Sequence, residues 1–217
     1  MKTRRTISVT AVVLLVLGAA GCSSEKEPSA RRTVLAPRLC DTQLSTAPIK
    51  EMFPGPYSEA FQQYSSRDSL NALKRGKKSG QCVVWLTYAS NGAEKNTNVN
   101  IDATVSDHDS ADQLVASSRK FGFPVLDTVR SGEIAGVSGP EGAAVAFTCD
   151  ERKNQERGVR VTVDFTPDEP GITGKRERLI TTTSATFAVR IARYLNEHLL
   201  KCVAPEKLSG ATDLRHT

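Results

Sequence analysis

Two stretches of the chain alternate without a break between apolar and polar residues. Val99, Ile101, Ala103 and Val105 are separated by Asn100, Asp102 and Thr104, and Val159, Val161, Val163 and Phe165 by Arg160, Thr162 and Asp164. A period of two sends successive side chains to opposite faces of a strand, so each stretch reads as a half-buried strand with one wet face. Each also has a neighbour to pair with. Residues 82–88, Cys-Val-Val-Trp-Leu-Thr-Tyr, are rich in β-branched and aromatic side chains, and Asn91-Gly92 starts a turn into the first stretch. Residues 143–149 precede the second, across the polar loop 150–158. Residues 125–129 read as a further short strand.

Helical spacing fills much of the remainder. After Asp109 or Ser110 as cap, Ala111, Leu114, Val115, Ser118 and Phe121 recur at intervals of three and four. The last helix is expected over 182–202, where Phe187, Ile191, Leu195, Leu199 and Cys202 form one stripe. Arg190, Arg193, Glu197 and Lys201 lie opposite it. A short helix is expected within 40–53, with Pro48 in its first turn and Pro54-Gly55-Pro56 ending it. Ala60, Phe61 and Tyr64 read as a further helical turn or two. The expected fold class is α+β, an antiparallel sheet of two hairpins with helices packed on one face.

The N-terminus has a different character. Lys2, Arg4 and Arg5 precede an apolar run from Ile7 to Leu17 and the small residues Gly18-Ala19-Ala20-Gly21. A basic segment, a short apolar core and small residues describe an export signal, and the run is too short to span a bilayer. The segment Leu17-Gly18-Ala19-Ala20-Gly21-Cys22 resembles the bacterial lipobox, although Ala19 stands where that pattern prefers Leu. The resemblance implies a diacylglyceryl group on the Cys22 thiol and cleavage before it. Two or more acyl chains then hold the protein stably on the membrane. Arg4-Arg5 also fits a weak twin-arginine signal, with general secretion the simpler route.

Loss of the leader changes the charge. The full chain carries a formal +5, with 29 basic and 24 acidic residues. Without Lys2, Arg4 and Arg5 the balance falls to about +2, which removes the main argument for a nucleic-acid partner. Residues 22–36 are polar and aperiodic and read as a flexible tether, residues 37–203 as one domain, and residues 204–217 as a disordered tail. Arg67, Lys74, Arg75, Lys77 and Lys78 gather into a basic stretch. An anionic-lipid contact is one reading of it, and a solvated loop accounts for it more simply.

Beyond Cys22 four cysteines remain, Cys40, Cys82, Cys149 and Cys202. An even count in an exported domain points to two disulfides, and no Cys-x-x-Cys spacing points to zinc or to redox exchange. Strand 143–149 and the last helix both run opposite to strand 159–165, so they point the same way and their C-terminal ends meet at one edge. That favours Cys149–Cys202 and leaves Cys40–Cys82. The rival pairing, Cys40–Cys202 with Cys82–Cys149, requires the two strand cysteines to be neighbours.

The chain further resembles a group of uncharacterised lipoproteins of high-GC Gram-positive bacteria that share a domain of unknown function. The residues concerned are Leu39-Cys40-Asp41-Thr42, Gly80-Gln81-Cys82-Val83-Val84-Trp85, and the helical run from Phe187 to Leu195. The resemblance implies a location and a fold, and brings no catalytic residues.

The search for chemistry yields little. Gly136-Val137-Ser138-Gly139-Pro140 is superficially similar to a serine-protease nucleophile segment, but no Asp precedes Ser138 and a tight turn accounts for it. Asp107-His108-Asp109 is explained by a helix cap better than by a metal. His198 falls near the apolar stripe of the last helix, and His216 in the tail. With Trp85 inside a strand and few other aromatics, a sugar-binding cleft is not favoured. The expected function is a non-catalytic binding module, lipid-anchored on the extracytoplasmic face of the cell membrane, with no metal or cofactor. Its ligand would be an envelope protein or a small apolar molecule held between sheet and helices. The alternative is an envelope hydrolase without a recognisable motif. If Cys22 carries the anchor, Cys22→Ala releases the protein from the membrane fraction or stalls its precursor. A fully processed variant that stays membrane-bound would overturn the assignment.

Overall fold

The computed structural model describes residues 33–90, 92–120, 125, 127–149, 157–167 and 173–216. The leader, Cys22 and most of the tether lie outside them, as do Phe121 and most of the loop 150–158. Eight antiparallel strands form one sheet: β1 (Tyr57–Gln63), β2 (Ser79–Ser90), β3 (Ala93–Ser106), β4 (Asp127–Ser131), β5 (Ile134–Gly139), β6 (Gly142–Cys149), β7 (Arg157–Pro167) and β8 (Asp213–His216). Their spatial order is β1-β2-β3-β7-β6-β5-β4-β8. Among the described residues three α-helices accompany them, α1 (Ala47–Met52), α2 (Ala111–Lys120) and α3 (Lys175–Tyr194), the last running on into a π-helical turn over Leu195–Leu200.

The alternation in sequence sets the central register. Val99 pairs with Phe165, Ile101 with Val163, Ala103 with Val161 and Val105 with Val159, so the apolar members of both stretches share one face. Val145 and Phe147 of β6 continue that face opposite Val161 and Val159. The buried stripe of α3, including Ile180, Phe187 and Ile191, packs on it. Towards β1 and β2 the same face is covered by Leu35, Leu39, Phe53 and Leu70, so it is dry across its width. Between β2 and β3, Ser90 pairs with Ala93. The intervening turn needs a residue in the left-handed region, and Gly92 supplies it with φ +76°.

Helix α2 lies on the other face. Ala111 and Leu114 pack on Ala146, the Ala111 amide donates to Thr148 Oγ1 (3.3 Å), and Arg160 Nη1 donates to Ser117 Oγ (3.2 Å). Ser110 and Gln113 cap its start reciprocally, each side chain accepting from the other's amide. The approach is close at Gly158, where a Cβ would stand 2.4 Å from the carbonyl oxygen of Asp109.

Several expectations are corrected. The sheet has eight strands rather than two hairpins, and helices occupy both faces. Residues 57–63 are a strand, not helical turns. Ala60, Phe61 and Tyr64 imitate helical spacing because the inward position 62 is a polar Gln and the outward position 61 an aromatic, so no apolar alternation shows. Of residues 136–140, read as a tight turn, 136–139 belong to β5, which is buried throughout. Helix α3 begins at Lys175, seven residues before the expected 182.

The expected tail is part of the fold. Leu208 is buried, and β8 pairs with β4, where His216 Nδ1 meets Asp127 Oδ1 at 2.7 Å. Arg193 of α3 fastens this segment, donating through Nε to Leu208 O (2.7 Å) and through Nη2 to Ser131 Oγ and Gly210 O. Charged hydrogen bonds contribute more than neutral ones, so Arg193→Ala is expected to lower the unfolding free energy by about 2–3 kcal/mol. Urea denaturation measures that loss, and faster tryptic cleavage after Lys207 reports release of the segment. An unchanged midpoint would show that β8 is held by other means.

Candidate functional site

Both disulfides are present with the favoured pairing. Cys40 joins Cys82, with Cα atoms 6.2 Å apart, and Cys149 joins Cys202, 5.1 Å apart. Closing loops of 42 and 53 residues stabilises a chain by about 3–4 kcal/mol each on the loop-entropy account.

These bridges hold a sheet whose second face is only half covered. Among the described residues, α2 is the helix on that face and it lies over β5, β6 and one end of β7. The outward side chains of β1, β2, β3 and the far end of β7 meet none. Phe61, Trp85, Asn98 and Thr166 form one row in register across these four strands. Glu59, Thr87 and Asn96 form the row to one side. Gln63, Val83, Asn100 and Asp164 form the row to the other side, and Gln81, Asp102 and Thr162 the row beyond that.

The first two of these rows enclose a hollow of about 370 Å³, near the lower end of the range for small-molecule sites. One wall is aromatic. The Phe61 and Trp85 rings lie 14° from parallel with centroids 6.1 Å apart, and the indole N–H donates to Gln63 Oε1 at 3.3 Å. Trp85 is 39% exposed, although it is the largest apolar side chain in the molecule. The other wall is polar, built from Asn96, Asn98 and Thr166, with Thr87 donating to Asn96 Oδ1 at 2.8 Å.

Two carboxyls occupy the neighbouring rows. Asp164 accepts from Asn100 Nδ2 at 2.7 Å, yet partial burial holds its pKa above the ordinary carboxylate value. Asp102 is raised as well, first by burial and then by the Asp164 charge, with Arg160 acting the other way. They stand diagonally on adjacent strands, within reach of one another's field. The outward residues of the two alternating stretches thus supply the polar part of this face.

The residues singled out in sequence are scattered. Cys22 lies outside the described residues. Ser138 is 2% exposed and its hydroxyl has no hydrogen-bond partner among the described residues, while His108 is on the surface. Asp107 meets Lys78, whose hydrogen bond lowers its pKa, and Asp109 accepts from the Ser106 hydroxyl at 2.7 Å. The His198 ring lies beside that of Tyr194, with centroids 4.7 Å apart and planes tilted by 45°. No group of three metal-ligating side chains occurs among the described residues. Phe61 was hidden because it falls at helical spacing with Ala60 and Tyr64 and its inward neighbour is the polar Gln62. Trp85 was legible by parity, since Cys82, Val84, Leu86 and Tyr88 are the buried set of β2 and their neighbours must point outward.

No family model, curated protein or solved structure matches the chain.

The raised carboxyls give a test with a definite sign. A carboxyl whose folded pKa exceeds its unfolded value holds its proton more tightly in the fold. Its stabilising contribution is full in acid and lost as pH rises through the folded value. Asp102→Asn is therefore expected to raise the thermal midpoint at pH 7 relative to the parent. The gain should shrink as pH falls towards about 4, the unfolded value. A gain independent of pH would assign it to packing instead.

Proposed function

We propose that the chain is an extracytoplasmic lipoprotein, held on the cell membrane through Cys22, that acts as a non-catalytic binding module at the envelope. The open half of the sheet is its binding surface. The leader, the lipobox-like segment and the resemblance to lipoproteins of high-GC Gram-positive bacteria support the location, and two disulfides suit an oxidising compartment. No helix among the described residues is long and apolar enough to cross a membrane, so an acyl anchor carries the attachment in this reading.

The observation that carries the binding role is the stacked pair of exposed Trp85 and half-buried Phe61 beside a ready-made hollow. An aromatic pair left in water on a rigid sheet gains from a ligand that covers it. The space between the sheet and α3 is taken by Phe147, Phe187, Ile180 and other buried side chains. A polar occupant of the open face therefore suits this geometry better than an apolar one between sheet and helix.

A hydrolase is the second reading, favoured by Asp102 and Asp164, two adjacent carboxyls with raised pKa on the same open face. Binding predicts that native mass spectrometry of the membrane-extracted chain shows a non-covalent adduct that Trp85→Glu loses. Bare mass for both chains, with no crosslink from a photoreactive group at Gln63, would overturn the binding role.

A further inference from the structure

We propose that the hollow between the Phe61–Trp85 pair and the Asn96–Asn98–Thr166 wall binds a neutral, polyhydroxylated ligand, a short segment of glycan. The proposal rests on the binding-module reading and names its ligand class.

Three features of the hollow select this chemistry. The first is the pairing of an aromatic wall with a wall of amides and hydroxyls. A pyranose ring has the complementary division, with C–H bonds on its faces and hydroxyls around its rim. The positive edges of C–H bonds are attracted to the negative face of an indole or phenyl ring. Each rim hydroxyl both donates and accepts, which matches primary amides that offer an oxygen and an NH₂ group side by side. Asn98 stands directly across the strand pair from Trp85, and Thr166 directly beyond Asn98. A ring lying against the indole is thus flanked by an amide and then a hydroxyl within the width of three strands.

The second feature is charge. The lining contains Glu59 and no Lys or Arg. Asp164 stands in the next row, and Asp102, offset by Arg160, in the one beyond, so the acidic groups nearest the hollow oppose phosphate, sulfate and carboxylate ligands. The lining thus selects against anionic polymers and favours uncharged sugars.

The third is rigidity. The hollow is built on three long strands and one short one rather than on loops, and β2 is bound covalently through Cys82 to Cys40. Trp85 is steadied by its bond to Gln63, and Asn96 by the Thr87 hydroxyl. A site that needs little ordering loses little affinity on binding.

The test uses the chain's own reporter. Trp85 is the sole tryptophan, so intrinsic fluorescence reads this wall directly. The whole chain, purified in a detergent without sugar headgroups, is titrated with tetrasaccharides of α-linked glucose, β-linked glucose and β-linked N-acetylglucosamine. Inorganic phosphate and tetralysine serve as anionic and cationic controls. At least one tetrasaccharide is expected to shift Trp85 emission saturably, with both controls silent. Asn98→Ala and Phe61→Ala should each weaken that binding at least tenfold while circular dichroism and the thermal midpoint show a folded chain. Trp85→Phe, followed by calorimetry, should retain part of the affinity, because a phenyl ring keeps a π face.

Silence towards every tetrasaccharide overturns the glycan assignment, as does binding that survives both Asn98→Ala and Phe61→Ala. A response to tetralysine alone overturns it in favour of a cationic ligand. If sugars fail while the co-purified adduct is present and lost in Trp85→Glu, the binding role stands and only the ligand class falls.

Discussion

The contact between α3 and the inward side chains of β6 and β7 is the interaction on which the rest of the molecule depends. Phe187, Ile191 and Ile180 meet Val145, Phe147, Val161 and Val163 with almost no residual exposure. Fully burying such side chains contributes about 1.5–3 kcal/mol apiece. That single interface fixes which parity of β3, β6 and β7 turns inward, and by doing so dictates what the opposite face displays. Asn98, Asn100, Asp102, Thr162 and Asp164 are outward because their neighbours are needed inside.

How much of this was legible varies with the kind of signal. Strands whose alternation is uninterrupted, such as residues 99–105 and 159–165, declared both their conformation and their faces. The cysteine pairing followed from chain direction alone, because helix and strand ends that meet at one edge leave few options. Three kinds of element resisted. β1 was masked because a polar Gln62 faces the core and an aromatic Phe61 faces out, which inverts the pattern one would count. β5 is buried on both faces, so it shows no alternation, and its glycines read as a turn. β8 is too short and polar to announce itself, and it exists because Arg193 and β4 offer it partners.

The candidate site was half visible for a related reason. Its polar residues were in plain view as the wet side of two amphipathic strands, but a wet side is the default for any sheet. What distinguishes this one is the aromatic pair across β1 and β2, and assembling it requires the register between those strands, which no local pattern supplies. The two raised carboxyls are of the same kind: neither Asp102 nor Asp164 is unusual until β3 and β7 are set side by side. Their raised pKa values imply a cost in stability at neutral pH, on the half of this face that α2 leaves open, where departures from the stability optimum are expected to serve a ligand.

The Cys40–Cys82 bridge has a mechanical consequence. Any pull arriving along the chain from the N-terminal side first meets Leu35 and Leu39, both wedged in the core. It then meets Cys40, whose amide is also held by Gln62 of β1. Beyond that point the load passes through a covalent bond into the second strand of the sheet, so α1 and β1 lie in a loop shielded from tension. Peeling the edge strand, the easiest way to unzip a sheet, is thereby denied to a force applied at the N-terminal end.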